Sequence, residues 1–355
     1  MQTAKIAIVG AGLAGLYAAF RLERMGMTDY ILLEARDAPG GRIASVEGFD
    51  LGPAWFWPGY QRQLDELVRE LGLARFEQDE TGIMMMERSR NERPFMAPGF
   101  ESSPKSMRLA GGMAALAGAL QRRIDPARIV TGQAVRRIAC VDGAVEVESG
   151  ATGHAMAWRA GHVLLALPPR LAVQSIAFAP ALPSALAAQW RHTATWMAPH
   201  AKYLAIYEAP FWRALGLSGQ ARSASGPLGE IHDASLPDGR AALFGFFGVP
   251  AGVRQRVPDA EMRALCRAQL VRLFGATAAT PLAEFIKDWA SDPFTATGAD
   301  LQEAAQHAGA PPATAADGPW RGRLTGIASE WSPQFPGYLA GAIDAASRGI
   351  QQWEN

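Results

Sequence analysis

Apolar positions change period several times along this chain, and each change predicts an element. Lys5 to Val9 is a short β-branched run that reads as a strand, and Leu13 to Met25 carries apolar residues at helical spacing among good helix formers. Tyr30 to Leu33 is a second short apolar run, so the chain opens as strand, helix, strand, the start of a parallel α/β sheet. Arg136 to Ala139 and Ala144 to Val147 alternate around an Asp142-Gly143 pair, which predicts a hairpin. Further strands are expected at Tyr203 to Ile206 and Ala242 to Phe247, with an amphipathic helix from about Pro258 to Phe274. The Ala/Pro-rich run Ala308 to Ala316 reads as a surface loop.

The joint between the first strand and helix carries chemistry. Gly10, Gly12 and Gly15 fall at GxGxxG spacing. Gly10 allows a tight turn, Gly12 lets the backbone approach a pyrophosphate, and Gly15 lets helix and strand pack closely, with the helix N-terminus facing the phosphate charge. Glu34 closes the second strand about twenty residues later, where a carboxylate accepts hydrogen bonds from a ribose hydroxyl. These features in register predict a dinucleotide cradle.

Composition excludes more than it assigns. The 355 residues are 49% hydrophobic and 19% charged, as in a globular protein of one or two domains. Lys and Arg (34) balance Asp and Glu (34), which gives no support to nucleic acid or an anionic membrane as partner. No apolar run reaches about eighteen residues, so no membrane span is expected. The first strand starts too early for a secretory leader, which favours a cytoplasmic location. Cys140 and Cys266 are isolated, the six histidines are scattered without ligand spacing, and no G-x-S-x-G occurs, so neither metal catalysis nor a serine nucleophile is expected.

The residues just beyond the second strand separate FAD from NAD. Glu34, Ala35, Arg36, Gly40, Gly41 and Arg42 resemble the EAR…GGR signature of the flavin-containing amine oxidase superfamily, in which a second glycine turn carries an arginine to the cofactor phosphates. The resemblance continues through Phe49 to Phe56 (FDLGPAWF), Leu109 to Leu116 (LAGGMAAL), Val163 to Pro180, Lys202 to Arg213 (KYLAIYEAPFWR) and Leu324 to Gly349. It implies a Rossmann-like FAD-binding domain of the GR2 type, α/β, with a discontinuous α+β substrate domain built on an antiparallel sheet. Residues 1–77, 108–183 and 284–355 are expected in the first, and 78–107 and 184–283 in the second. The cofactor residues implied are Gly10, Gly12, Leu13, Ala14, Gly15, Glu34, Ala35, Arg36, Gly41, Arg42, Gly52, Pro53, Ala54, Trp55, Val135, Trp289, Glu330, Gly337, Tyr338 and Leu339. Val135 is expected to touch the adenine through its main chain, and Glu330 to lie near the ribityl-pyrophosphate.

The same resemblance assigns the chemistry. Lys202 matches the lysine that holds a water beside flavin N5, and Tyr338 matches one wall of an aromatic cage over the flavin. The implied activity is transfer of hydride from the α-carbon of an amine to N5, with reoxidation by O2 to H2O2. An alkylamine near pKa 10 must lose a proton first, at roughly 4 kcal/mol at pH 7, and an apolar cavity offsets much of that cost. Two alternatives stay open: a flavin dehydrogenase or desaturase with another substrate or acceptor, and a flavin-bound interaction protein with little turnover.

The match fails in places. Trp289 to Asp300 (WASDPFTATGAD) lacks the second cage tyrosine. Ala299 lies near the position where monoamine oxidases attach flavin to a cysteine, so FAD is expected to be non-covalent. Asp300 is expected to cap the following helix rather than face the flavin. Trp55 and Trp57 could wall the pocket and Met84 to Met86 line its entrance, although both groups read first as core. The link over 78–107 is shorter than in long family members, implying a more open cavity or a lid supplied by a partner chain, which includes a second copy in a homo-oligomer. The membrane anchor of the mitochondrial monoamine oxidases is not expected.

Overall fold

Hydrophobic patterning resolves into two large sheets, and the main cavity lies where they meet. In a computed structural model describing residues 1–150, 155–302 and 309–354, Gln2–Val9 (β1), Leu13–Arg24 (α1) and Tyr30–Leu33 (β2) form the opening unit. β1 runs parallel to β2 on one side, with Ile6 opposite Tyr30, and parallel to Met156–Leu165 on the other, with Ala4 opposite Ala160. It is therefore an interior strand, and Ile6 to Val9 are buried. Ile129–Val130 extends this eight-stranded sheet beyond β2, while the hairpin Val135–Val141/Ala144–Ser149 and then Ala177–Ala179 extend it the other way. Asp142 and Gly143 both have positive φ (48° and 73°), as the hairpin turn requires. α1 and the C-terminal helix Leu339–Ile350 share one core through Leu16, Phe20, Ile343 and Ala346.

The second sheet has seven strands and is mostly antiparallel, with Ala201–Tyr207 next to its edge, between the edge strand Ala283–Asp288 and Ala241–Phe247. Strand period divides its side chains between two faces. Tyr203, Ala205 and Tyr207 pack against the helix Asp259–Phe274 through Met262, Cys266 and Leu270. Leu204 and Ile206 point the other way, into a cluster with Phe49, Phe244 and the half-buried Trp55. Lys202 lies two residues before Leu204, so the same alternation aims it at the segment around Asp50 and Gly52.

Some expectations shift. Ala283–Asp288 belongs to the second sheet, carrying that unit past the expected boundary at 284. The 78–107 link folds as Ile83–Glu87 and Phe95–Pro98 on the sheet's edge, and Met84 to Met86 build that edge rather than a cavity entrance. Of the Ala308–Ala316 run, Ala308 lies outside the described residues. The rest runs as a loop mostly at the surface, as expected, and is anchored by the buried Ala315 and by the carbonyls of Pro312 and Ala313, which accept from Trp190 Nε1 and Gly326 N–H. Cys266 is buried, whereas Cys140 is half-exposed. Among the described residues no helix is long and apolar enough to cross a membrane.

The turn into α1 is closed to any side chain at Gly15, where a Cβ would stand 1.9 Å from the Gly10 carbonyl oxygen. Gly15→Ala should therefore lower stability by about 1–3 kcal/mol through overpacking, read as a fall in the thermal midpoint. A variant as stable as the parent would contradict this close approach.

Candidate active site

A cavity of about 910 Å³ runs between the sheets and gathers residues from both ends and the middle of the chain. Its volume suits a large cofactor with a substrate space beside it. Gly10, Gly12, Leu13, Ala14, Glu34, Ala35, Arg36, Gly41, Arg42 and Val135 line one part. Gly52, Pro53, Ala54, Trp55, Trp289, Gly337, Tyr338, Leu339 and Lys202 line the rest. Gly15 and Glu330 do not reach the wall; Gly15 packs beneath the turn, and Glu330 stands behind Arg42.

The residues fit a dinucleotide. The second glycine turn lies directly on the first, since Gly40 N–H donates to the Ala11 carbonyl at 2.9 Å and a Cβ on Gly41 would come within 2.8 Å of Gly12 Cα. Backbone at the start of α1 is thus open to a phosphate with no side chain in the way. Glu34 is buried, and its carboxylate oxygens accept from Ala11 N–H (2.7 Å) and Arg36 N–H (2.9 Å). Each oxygen keeps a lone pair for a ribose hydroxyl. Arg36 is held by Asp292 (2.6 Å) and packs on the Phe294 ring. Arg42 makes a bidentate pair with Glu330 (2.6 and 3.1 Å) and donates to Ser329 Oγ (3.1 Å), joining residues 288 apart in sequence.

Lys202 carries the strongest electrostatic perturbation in this wall. It is 2% exposed, and its Nζ donates to the carbonyls of Asp50 (3.1 Å) and Gly52 (2.7 Å). Burial drives its pKa from 10.5 down to about 7; the Asp50 charge opposes the fall and the Arg108 charge adds to it. The Phe244 and Phe246 rings lie 4.2 and 5.1 Å from Nζ and favour its cationic form. The group is therefore poised between amine and ammonium near neutral pH.

The aromatic wall is not the one the motif suggests. Tyr338 caps the C-terminal helix and lies 4.9 Å from Trp196 at 49°, and 6.4 Å from Trp57 at 82°. Neither Ala299 nor Asp300 lines the cavity. Asp300 is buried in the first turn of Gly298–Gln302, accepting from Thr297 N–H (2.9 Å) and Arg170 (2.8 Å). It thus completes the helix start from within the first turn instead of from the N-cap position expected for it. Trp289 donates its indole N–H to the Leu51 carbonyl at 3.2 Å.

Several lining residues went unnoticed in the sequence: Trp196, Met197, His200, Arg222, Glu230 and Phe246. Phe246 pairs directly with Lys202 across the sheet, a register that no one-strand pattern reveals. Trp196 sits in a loop without periodicity, so no local signal marks it. Glu230, hydrogen-bonded by His232 (2.7 Å) and Arg222 (2.5 Å), is a carboxylate that the second sheet contributes to the cavity lining. Burial pushes its pKa up, but these two partners outweigh burial and hold it below the usual value.

Comparison with known proteins supplies a family and a fold. The family described as Flavin containing amine oxidoreductase matches residues 75–349, and an NAD(P)-binding Rossmann-like domain matches residues 8–71. A Mycobacterium tuberculosis protein named as a flavin-containing monoamine oxidase is 32% identical over 69% of this chain and 52% of its own length, so the chain spans about half of that relative. Putrescine oxidase of Kocuria rosea is 26% identical over 82% of this chain and 83% of its own. Among solved structures, wild-type putrescine oxidase bound to putrescine superposes with a TM-score of 0.82 at 21% identity over 99% of both chains. Cyclohexylamine oxidase from Brevibacterium oxydans does so with 0.81 at 20% over 99% of this chain and all of its own (100%). With a family match over most of its length, the chain belongs to the flavin-containing amine oxidoreductase family.

Proposed function

We propose that this protein is an FAD-dependent amine oxidase holding its cofactor non-covalently. The carrying observation is a single cavity shared by a dinucleotide cradle and a buried lysine of lowered pKa. Bound there, FAD supplies an acceptor for hydride from the amine's α-carbon and a route for the electrons to O2, leaving imine and H2O2 as products.

The chain's own residues do the rest. Gly12 and the start of α1 present backbone N–H groups to the pyrophosphate, and Glu34 accepts from the ribose. Arg42, already neutralised in part by Glu330, offers its remaining edge to phosphate without burying a lone charge. The N-terminus of Leu339–Ile350 opens directly at Tyr338 in the cavity wall, where it stabilises negative charge. Tyr338, Trp196 and Trp57 exclude water from the substrate, which favours the neutral amine. Lys202 holds or releases a proton at Nζ on the cavity wall. Neither Cys140 nor Cys266 lines the cavity, which supports non-covalent binding.

The purified protein should be yellow, and amines added without oxygen should bleach it, with peroxide appearing when air is admitted. Bleaching without peroxide would select a dehydrogenase; a flavin that no amine or reductant bleaches would end the catalytic reading. Lys202→Met should keep FAD but slow flavin turnover about 10²-fold or more in stopped-flow absorbance.

The same substitution should raise stability by about 0.5–2 kcal/mol at neutral pH, because it removes a desolvated amine. The sign follows from linkage: the folded pKa lies below the unfolded one, so the penalty is full below about 7 and fades as pH rises toward 10.5. Thermal midpoints of parent and Lys202→Met should therefore differ most at acidic pH and converge at alkaline pH. A difference independent of pH would refute the depressed pKa.

A further inference from the structure

We infer that Asp50 is a positioning residue for Lys202: its buried carboxyl group pins the main-chain segment whose two carbonyls hold the lysine amine. This rests on the reading that Lys202 acts on the bound flavin. Asp50 itself touches neither cofactor nor substrate space, since it is absent from the cavity wall.

The pinning is specific. Asp50 is 4% exposed, and its Oδ1 accepts from Ser45 Oγ at 2.6 Å and from Met113 N–H at 2.7 Å. Met113 immediately precedes the helix Ala114–Gln121, so the carboxylate ties the segment to that helix start. The approach needs a glycine at 112: its φ is +73°, and a Cβ there would lie 2.8 Å from both Asp50 Oδ1 and Ser45 Oγ. Downstream, Leu51 and Gly52 N–H both donate to the Ala44 carbonyl, and a Cβ on Gly52 would lie 2.3 Å from the Arg42 carbonyl oxygen. The carbonyls of Asp50 and Gly52 are thus fixed from both sides, and both accept from Lys202 Nζ.

The carboxyl group also has an oxygen to spare. Asp50 Oδ2 is buried with no hydrogen-bond partner among the described residues, as is Arg108 Nε. An acid that served only to cap a helix start has no need of this costly arrangement. Burial raises the Asp50 pKa, while the bonds from Ser45 and Met113 and the charges of Lys202 and Arg108 favour its anion. That anion in turn holds up the Lys202 pKa. The other charged groups on neighbouring elements are already engaged: Lys287, opposite Lys202 in the ladder, with Asp292; His232, stacked on Phe244, with Glu230; and Asp233 with Arg213.

The test measures reoxidation of the dithionite-reduced holoprotein by O2 as a function of pH. The parent should show an inflection near 7 that disappears in Lys202→Met. Asp50→Asn retains the acceptor for Met113 N–H but loses the charge, so its inflection should move down by about 0.5–1 pH unit with flavin still bound. A purely structural role would change flavin content or thermal midpoint without moving the inflection. If Asp50→Asn does not hold flavin, Ser45→Ala carries the test: with one donor gone the carboxyl protonates more readily, and the inflection should again move down. A profile superimposing on the parent's in a flavin-bound variant overturns the inference alone. An inflection that survives in Lys202→Met overturns both this inference and the role of Lys202.

Discussion

A lysine amine almost wholly withdrawn from water is the constraint around which this molecule is arranged. Lys202 is donated by an interior strand of one sheet and received by carbonyls of a segment that follows the glycine turns of the other. Neither unit alone would bury it. Isolated in an apolar interior, an ammonium is too costly to persist, so the group either finds acceptors or gives up its proton. Here it does part of each, with two carbonyls and two phenyl rings retaining the cation and burial opposing it.

A second constraint is the close passage of backbone over backbone. The turns at Gly10 to Gly12 and at Gly40 and Gly41 touch without side chains between them, leaving main-chain donors as the surface a phosphate meets. Arg42 then reaches Glu330 near the other end of the chain, and this bidentate pair closes the cavity wall where three lengths of polypeptide converge. Part of the lining is aromatic through Trp57, Trp196 and Tyr338. Such a lining lowers the local dielectric, so the few charges present act at greater strength than they would in water.

Stability is given up at these places for chemistry. A desolvated lysine, an Asp50 carboxyl oxygen and an Arg108 guanidinium N–H left without partners among the described residues, and the tightly packed Gly10, Gly41 and Gly52 lie within or just behind one wall. Elsewhere buried charges are matched, as with Asp233 between Trp212 and Arg213 or Glu87 with Arg272.

How much was legible depended on the range of the interaction. The opening strand, turn and helix, Glu34, the Asp142-Gly143 hairpin and the helix ending at Phe274 were written in local spacing, because turn chemistry and apolar period act over a few residues. Lys202 was legible as a motif match, but its state was not, since that state depends on burial between the sheets and on the charges of residues as distant in sequence as Asp50 and Arg108. Trp196 standing against Tyr338, Phe246 opposite Lys202 and Asp300 turned inward to Arg170 came only from tertiary structure. The sequence by itself determined which backbone turns could form and that a dinucleotide cradle opens the chain. Which side chains share a cavity, and how strongly that cavity perturbs them, was decided by strand register and by the meeting of the two sheets, which join residues that no local pattern relates.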